Sequence, residues 1–389
     1  MKILVYCQHV LGIGHLARAL HLVRALEAHE VVLVTGGPRT QLAAPPHVRV
    51  IQLPPLAMDE TFGVLYPPED QRPVEAIRSE RLDRLLELFR TEAPELFIVE
   101  LYPFGRKAFR HELDPLLAAL HEGSLPPART ICSVRDILVE KPDRDKHESR
   151  AVRVLNHFFS AVLVHSDPSV VRLEESFSRS AEIEIPVLYT GYVAPPAKTS
   201  HERPRRGSPA GPARIVVSAG GGKVGHGLCR AVIECLPRLQ RHAEIECLVL
   251  TGPFMDETDF RRLTEISPAS VRIRRFMADL AGEMARADLS ISMAGYNTCM
   301  DILAAEVPAL VLPFQQNREQ RLRAERLAER GAMRVLGMED LRPERLAGVI
   351  QETLASDLPR DHGIRTDGAE RFARWVEQGF PETQENMER

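Results

Sequence analysis

"KILVYCQHVLGIGHLARAL", residues 2–20, decides the fold. The run Lys2 to Cys7 is apolar and rich in strand formers, and it stops at the polar pair Gln8 and His9, as a buried strand does. Gly12 and Gly14 then supply a tight turn whose backbone, lacking Cβ atoms, can run close to a ligand. Beyond it Leu16, Ala19, Leu20, Val23 and Leu26 fall on one helical face. Strand, glycine turn and helix are half of a βαβ unit, and the alternation continues. "EVVLVTG", "VRVIQL", "LFIVEL", "RTICSV", "AVLVHS" and "IPVLYTGY" read as further strands, and "AIRSERLDRLLELFRTEAP" as a helix closed by Pro94. Short buried strands joined by helices predict an α/β fold with a parallel sheet covered on both faces.

With 389 residues, the chain is too long for one ordinary core and about two domains are expected. Residues 194–213, "APPAKTSHERPRRGSPAGPA", are rich in Pro, Gly, Ser and charge and carry no apolar period, which marks a linker. After it the pattern restarts with "RIVVSAGGG" and runs through "IECLVLTG", "VRIRRF", "ADLSISMAG", "PALVLPF" and a helix from Arg318 to Gly331. The expected plan is an N-terminal Rossmann-like domain over 1–193, a second over 214–370, and a C-terminal helix and tail over 371–389 crossing the junction. Two such domains with a glycine turn after each first strand predict a cleft where the strand ends face each other.

Composition narrows the function. Hydrophobic content of 44%, charged content of 27% and a formal charge of −4 describe a soluble globular protein with no general affinity for nucleic acid. Six scattered cysteines without a C-x-x-C pair read as reduced core thiols of a cytoplasmic protein. Gln8, His9 and His15 interrupt the first apolar stretch, so no secretory signal is expected, and no run approaches transmembrane length.

Gly12 to Ala17 fits G-x-G-x-x-A, the dinucleotide fingerprint, but the second strand ends in Thr35, Gly36 and Gly37 where that fingerprint wants an acidic residue. The reading centred on His15 fits better. It projects from the first helical turn, where the helix dipole disfavours the imidazolium and leaves a neutral base able to take a proton from a hydroxyl. The alternative is a histidine that only caps the helix. "SAGGGKVGHGL", residues 218–228, is a second strand-to-helix loop, with Ser218, Gly220, Gly221 and Gly222 at its head. Its amides suit a diphosphate. No Ser or Thr follows Lys223 in the frame of a nucleoside triphosphatase loop, so triphosphate hydrolysis is not expected.

Residues 275–331 are the most specific stretch. A strand ends in Phe276, Ala287-Asp288 precede the next strand, Gly295 to Thr298 open a helix bearing Asp301, "AAEVPALVLPF" follows, and Glu319-Gln320 lead into another helix. This order resembles the C-terminal domain of GT-B glycosyltransferases, above all the family 28 group that includes the lipid II N-acetylglucosaminyltransferase. "G-x-G-H-x-x-R" at Gly12 to Arg18 and "YTGY" before the linker resemble that group's N-terminal half.

The resemblance implies a nucleotide-sugar donor, UDP-linked by preference, and an inverting transfer with no cofactor and no obligatory metal. Backbone at Phe276 and Met277 would hold the base. Ser218 to Gly222 with Gly295, Asn297 and Thr298 would hold the diphosphate. Asp301 stands where the family usually has a ribose-binding Glu, one methylene longer. Glu319 and Gln320 would bond the donor sugar, and His15 would be the base. Gly12, Gly14, Arg18, Glu100, Arg135 and Asp136 lie on the acceptor side. The implied acceptor is a small molecule, a lipid-linked carrier or a glycan, with peripheral membrane contact and no nucleic acid.

Other features weigh less. Glu306 replaces the glycine of the family's "AAGVP" turn. Glu100 either assists His15 or contacts acceptor, or is a buried strand-end carboxylate paired with Arg106. Arg135 and Asp136 read first as an internal ion pair. Asp143-Arg144-Asp145 resembles a metal-binding D-x-D but sits in a highly charged, solvated stretch. "HSDPS" reads as a helix start capped by Asp167. Rival functions are a nucleotide-sugar hydrolase of the pseudaminic-acid type, a hydrolysing 2-epimerase, and a non-catalytic nucleotide-sugar-binding protein. Loops over 54–73 and 102–128 favour a genuine acceptor over water.

Overall fold

The computed structural model describes residues 1–10, 14–40, 42–58, 64–139, 143–196, 211–356 and 362–381. Two compact units divide the chain: Met1–Val193 together with the segment from Asp367 onward, and Ala194–Thr366. Most of the stretch read as a linker, 197–210, lies outside the described residues.

The first unit runs β1 (Lys2–Cys7), α1 (Gly14–Arg24), β2 (Glu30–Thr35), β3 (Val48–Gln52), the antiparallel pair β4 (Ala57–Met58) and β5 (Leu65–Tyr66), α2 (Val74–Glu92), β6 (Leu96–Glu100), α3 (Arg110–His121), β7 (Arg129–Arg135), α4 (Arg144–Phe158), β8 (Ala161–His165) and β9 (Val187–Tyr189). The second runs β10 (Ala213–Ser218), α5 (His226–Leu239), β11 (Ile245–Leu250), α6 (Glu257–Ile266), β12 (Val271–Arg274), α7 (Leu280–Ala285), β13 (Leu289–Met293), α8 (Tyr296–Ala305), β14 (Ala309–Leu312), α9 (Arg318–Glu329), β15 (Arg334–Val335) and α10 (Pro343–Ala355). The chain then returns to the first unit as α11 (Gly368–Gln378).

The sheets are ordered β3-β2-β1-β6-β7-β8-β9 and β12-β11-β10-β13-β14-β15, with every pairing within them parallel. Each is an open sheet with the strand order of a Rossmann fold. Strand alternation divides the first unit's interior in two. Leu4 and Tyr6 of β1 join the layer under α2 and α3, whereas Ile3, Val5 and Cys7 join the layer under α1 and α11. Ala369, Phe372, Ala373 and Val376 of α11 are buried in that second layer. All six cysteines are buried and unbridged.

Several local expectations need correction. The stretch 102–128 is not a loop: it holds α3, whose interior Pro115 disguised the helical period. The loop over 54–73 contains the short β4–β5 pair. "HSDPS" forms a turn in which Asp167 Oδ1 accepts the Ser169 N–H at 2.9 Å, without a regular helix behind it. The terminal helix packs on α1 and belongs wholly to the first unit. Glu306 caps α8 in the left-handed region, φ 48° and ψ 36°, where a non-glycine residue is strained by roughly 1–2 kcal/mol. Among the described residues no helix is long and apolar enough to cross a membrane.

Candidate active site

Open parallel sheets bind ligands at the carboxyl ends of their strands, where the strand order reverses. In the first sheet the reversal lies between β1 and β6, paired from Ile3↔Leu96 to Tyr6↔Val99. The chain leaving β1 leads to His15, and β6 ends in Glu100. His15 Nδ1 lies 2.7 Å from Oε1 of Glu100. The same oxygen accepts from Arg18 Nη2, and Arg106 Nη2 lies 3.5 Å from Oε2. The Glu100 and Arg18 side chains are only 3% and 2% exposed, whereas His15 is 22% exposed. Arg18 is therefore interior and holds Glu100, which removes it from direct acceptor contact.

Burial alone would raise the Glu100 pKa. His15, Arg18 and Arg106 more than reverse that and hold the carboxyl well below the usual range. For His15, burial is the leading cause of a pKa pushed down to about 4; Arg106 and Arg135 act in the same direction and Glu100 opposes them. A neutral imidazole beside an ionised carboxylate puts its proton on Nδ1 and keeps a lone pair on Nε2. Nε2 makes no hydrogen bond among the described residues.

The surroundings fix this pair. Leu101 at φ 66° and Arg106 at φ 57° are both left-handed, each a strain of about 1–3 kcal/mol, and the turn between them brings Arg106 back onto Glu100. Ser133 lies opposite Glu100 in the β6–β7 register. Its Oγ is 2.8 Å from Nε2 of His165, whose Nδ1 is 2.9 Å from Thr190 Oγ1. Burial pushes His165 down to about 3, so this wholly buried imidazole is neutral as well. Arg135 ends β7, half-buried; Asp136 is fully buried and its Oδ1 accepts the Ile137 N–H at 2.8 Å. Gly14 begins α1, and Gly12 lies outside the described residues. Asp145 of the D-x-D stretch is 84% exposed and pairs with Arg179 at 2.6 Å.

Sequence reading missed a second charged group. Arg81 of α2 and Glu112 of α3 are both 0% exposed and bonded through Nε–Oε2 at 2.7 Å and Nη2–Oε1 at 2.6 Å. Arg81 also donates to Gly36 O at 3.0 Å, Pro54 O at 2.7 Å and Gln8 Oε1 at 2.8 Å. Tyr6 OH donates to Glu112. One guanidinium thus ties together the chain just past β1, β2 and β3. Its trace in the sequence is an arginine in the apolar stripe Ile77, Arg81, Leu85, Phe89 of α2.

In the second sheet the strand order reverses between β10 and β13, with Ser218 opposite Ser292. Ser218 Oγ accepts the Gly220 N–H at 3.2 Å. Gly220 and Gly222 are left-handed, φ 62° and 94°. A Cβ on Gly222 would stand 2.5 Å from Thr251 O, so only glycine fits. A Cβ on Gly220 would come within 3.8 Å of Thr298 Oγ1, which places the glycine loop across from the start of α8. That helix opens at Gly295 with no side-chain cap, the kind of helix start at which anions bind. Asn297 is half-buried and Thr298 buried in the first turn. Past β12, Phe276 is 48% exposed and Met277 half-buried.

Glu319 and Gln320 lie half-buried in the first turn of α9, whose start Asn317 caps through the Gln320 N–H at 3.2 Å. Gln320 Oε1 accepts the Phe314 N–H at 3.1 Å, which leaves its side-chain amide hydrogens for a ligand. Burial, with Asp279 second, pushes the Asp301 carboxyl up to about 7. A raised acid pKa favours the native state while the carboxyl is neutral. That contribution is whole below about pH 4 and is lost as pH rises through about 7. Asp301→Asn should therefore gain about 2–4 kcal/mol over the parent at pH 8 and little at pH 4, read from chemical denaturation at both pH values.

Residues 215–376 match the glycosyltransferase family 28 C-terminal domain. An uncharacterized glycosyltransferase of Methanopyrus kandleri is 23% identical over 257 residues, 64% of this chain and 71% of the relative. The UDP-N-acetylglucosamine–N-acetylmuramyl-(pentapeptide) pyrophosphoryl-undecaprenol N-acetylglucosamine transferase of Pelobacter propionicus is 32% identical over 153 residues, 38% of this chain and 39% of the relative. The chain therefore matches about two fifths of that enzyme's length. Among solved structures, the glycosyltransferase of kitacinnamycin superposes with a TM-score of 0.60 at 15% identity, covering 98% of this chain and 99% of its own, which is a likeness of fold.

Proposed function

We propose that the chain, which has the GT-B fold and whose residues 215–376 match the glycosyltransferase family 28 C-terminal domain, moves a sugar from a UDP-linked donor to an acceptor hydroxyl with inversion at the anomeric carbon. The observation that carries this reading is the His15–Glu100 pair, a neutral imidazole oriented by an ionised carboxylate with its second nitrogen open. His15 Nε2 takes the hydroxyl proton as the acceptor oxygen attacks C1 of the donor sugar. Glu100 fixes the tautomer and stabilises the imidazolium that forms.

The diphosphate leaves from the opposite face of that carbon, and a single in-line displacement inverts it. Its growing charge is met by amides of the Gly220–Gly222 loop and the α8 N-terminus, which do for it what a metal ion does in other transferases. Asp301, neutral or ionised near pH 7, bonds the ribose hydroxyls; Gln320 and Glu319 bond the sugar; backbone at Phe276 and Met277 takes the base. The acceptor belongs to the first unit, near the half-buried Arg135; Asp136, fully buried, is too deep to touch it. The acceptor is a lipid-linked carrier, a glycan or a small molecule, in keeping with the acceptor named for the Pelobacter propionicus relative, and peripheral membrane contact goes with the first of these.

Calorimetric titration against UDP-, dTDP- and GDP-sugars, followed by turnover with candidate acceptors in EDTA, tests the reading. Binding of a UDP-sugar, EDTA-insensitive transfer and an inverted product support it. Release of free sugar at the same rate without acceptor would replace it with hydrolysis, and failure to bind any nucleotide would reject it.

A further inference from the structure

We propose that the ring of Phe254 is the surface on which the donor's nucleobase stacks. This rests on the reading that the Gly220–Gly222 loop takes the diphosphate and the chain at Phe276 the base. Among the described residues only two phenylalanines are exposed, Phe254 at 46% and Phe276 at 48%. They follow β11 and β12, which pair in parallel from Cys247↔Val271 to Leu250↔Arg274. Both loops therefore leave the carboxyl edge of the second sheet side by side. One exposed apolar side chain is ordinary, but two large rings on adjacent loops at the ligand-binding edge of an open sheet mark a binding surface.

These loops are fastened to one another. The Phe254 N–H donates to Gly221 O at 3.0 Å, and a Cβ on Gly221 would lie 3.8 Å from Phe254 Cδ2, so the ring lies against the glycine loop. Gly252, φ 84°, passes so close to that loop that a Cβ there would stand 2.4 Å from Gly222 N. On the other side Arg275 Nη1 donates to Met255 O at 2.9 Å, joining the residue after Phe254 to the residue before Phe276. Arg275 is itself held by Glu257 and by the Phe260 ring, whose centre lies 4.2 Å from its guanidinium carbon. The sheet order β12-β11-β10 thus sets Phe254 between the chain at Phe276 and the glycine loop. A nucleotide with its diphosphate on one and its base on the other must cross that ring. Stacking on a planar base takes the ring out of water and is indifferent to the charge of the diphosphate.

The test is calorimetric titration of the full chain with UDP and with uridine, with folding checked by thermal melting. Phe254→Ala should weaken both ligands alike, by about tenfold, and keep a melting temperature close to the parent's because the ring is exposed. Phe254→Trp keeps a stacking face and should bind UDP within about threefold of the parent. Its fluorescence should change on saturation with UDP; the one native tryptophan, Trp375, lies on α11 in the other unit. UDP affinity unchanged in Phe254→Ala, a loss for UDP with none for uridine, or an indole blind to UDP would each overturn the proposal while leaving the donor-site reading standing. If the parent protein does not bind UDP, the donor-site reading fails and the proposal with it.

Discussion

Replacing His15 with alanine lowers kcat by about 10²- to 10⁴-fold and leaves the Kd for nucleotide-sugar within about threefold of the parent. The split follows from the separation of parts: His15 belongs to the first unit, whereas the residues assigned to the donor belong to the second. Glu100→Gln should also cut kcat strongly, because an amide can accept from Nδ1–H but cannot balance the imidazolium. It leaves Arg18, 2% exposed, facing a neutral group as well, so its melting temperature must be reported alongside. The pH profile adds an independent reading. With His15 pushed down to about 4, base activity should persist well below pH 6.5 and disappear only as the ring protonates near pH 4. Steady-state kinetics and calorimetry on His15→Ala decide the matter, and turnover within threefold of the parent would exclude the residue as the base.

The second large effect concerns stability. Arg81→Met leaves Glu112 buried and ionised without its bidentate partner, which should cost about 3–5 kcal/mol in urea denaturation. Against the burial that would raise it, Arg81 holds the Glu112 carboxyl down at about 2. A depressed acid pKa stabilises the native state above about pH 4.5, and that contribution is lost as pH falls toward 2. The parent should therefore lose stability over that interval, and Arg81→Met should lose much less. Arg81→Met/Glu112→Leu should recover much of the deficit at pH 7, since an apolar pair of similar volume often replaces a buried ion pair without penalty. A single variant as stable as the parent would show that the pair contributes little.

The strands were legible because they are buried on both faces and read as unbroken apolar runs, Ile3 to Cys7 and Ile215 to Val217 among them. The turn that presents His15 was legible because two glycines follow such a run. What stayed hidden were charges that fold inward. Arg18, Arg81 and Glu112 are of residue types associated with solvent, and nothing local distinguishes a guanidinium that finds a carboxylate 82 or 31 residues away from one that meets water. Glu100 could be placed at a strand end but not paired. Its partners arrive from α1 and from a turn with two strained non-glycine residues, and neither contact has a periodic signature. On the donor side the glycine loop and the helix start were each visible, while their mutual approach depends on the β10–β13 register.

The return of α11 to the first unit has a consequence for synthesis. On the ribosome, residues up to 193 can lay down all seven strands of the first sheet, yet one flank remains stripped of Phe372, Val376 and their neighbours until α11 has emerged. That flank must wait, sticky and half clad, while an entire second unit is translated in between. Docking of α11 is therefore the step that closes that flank.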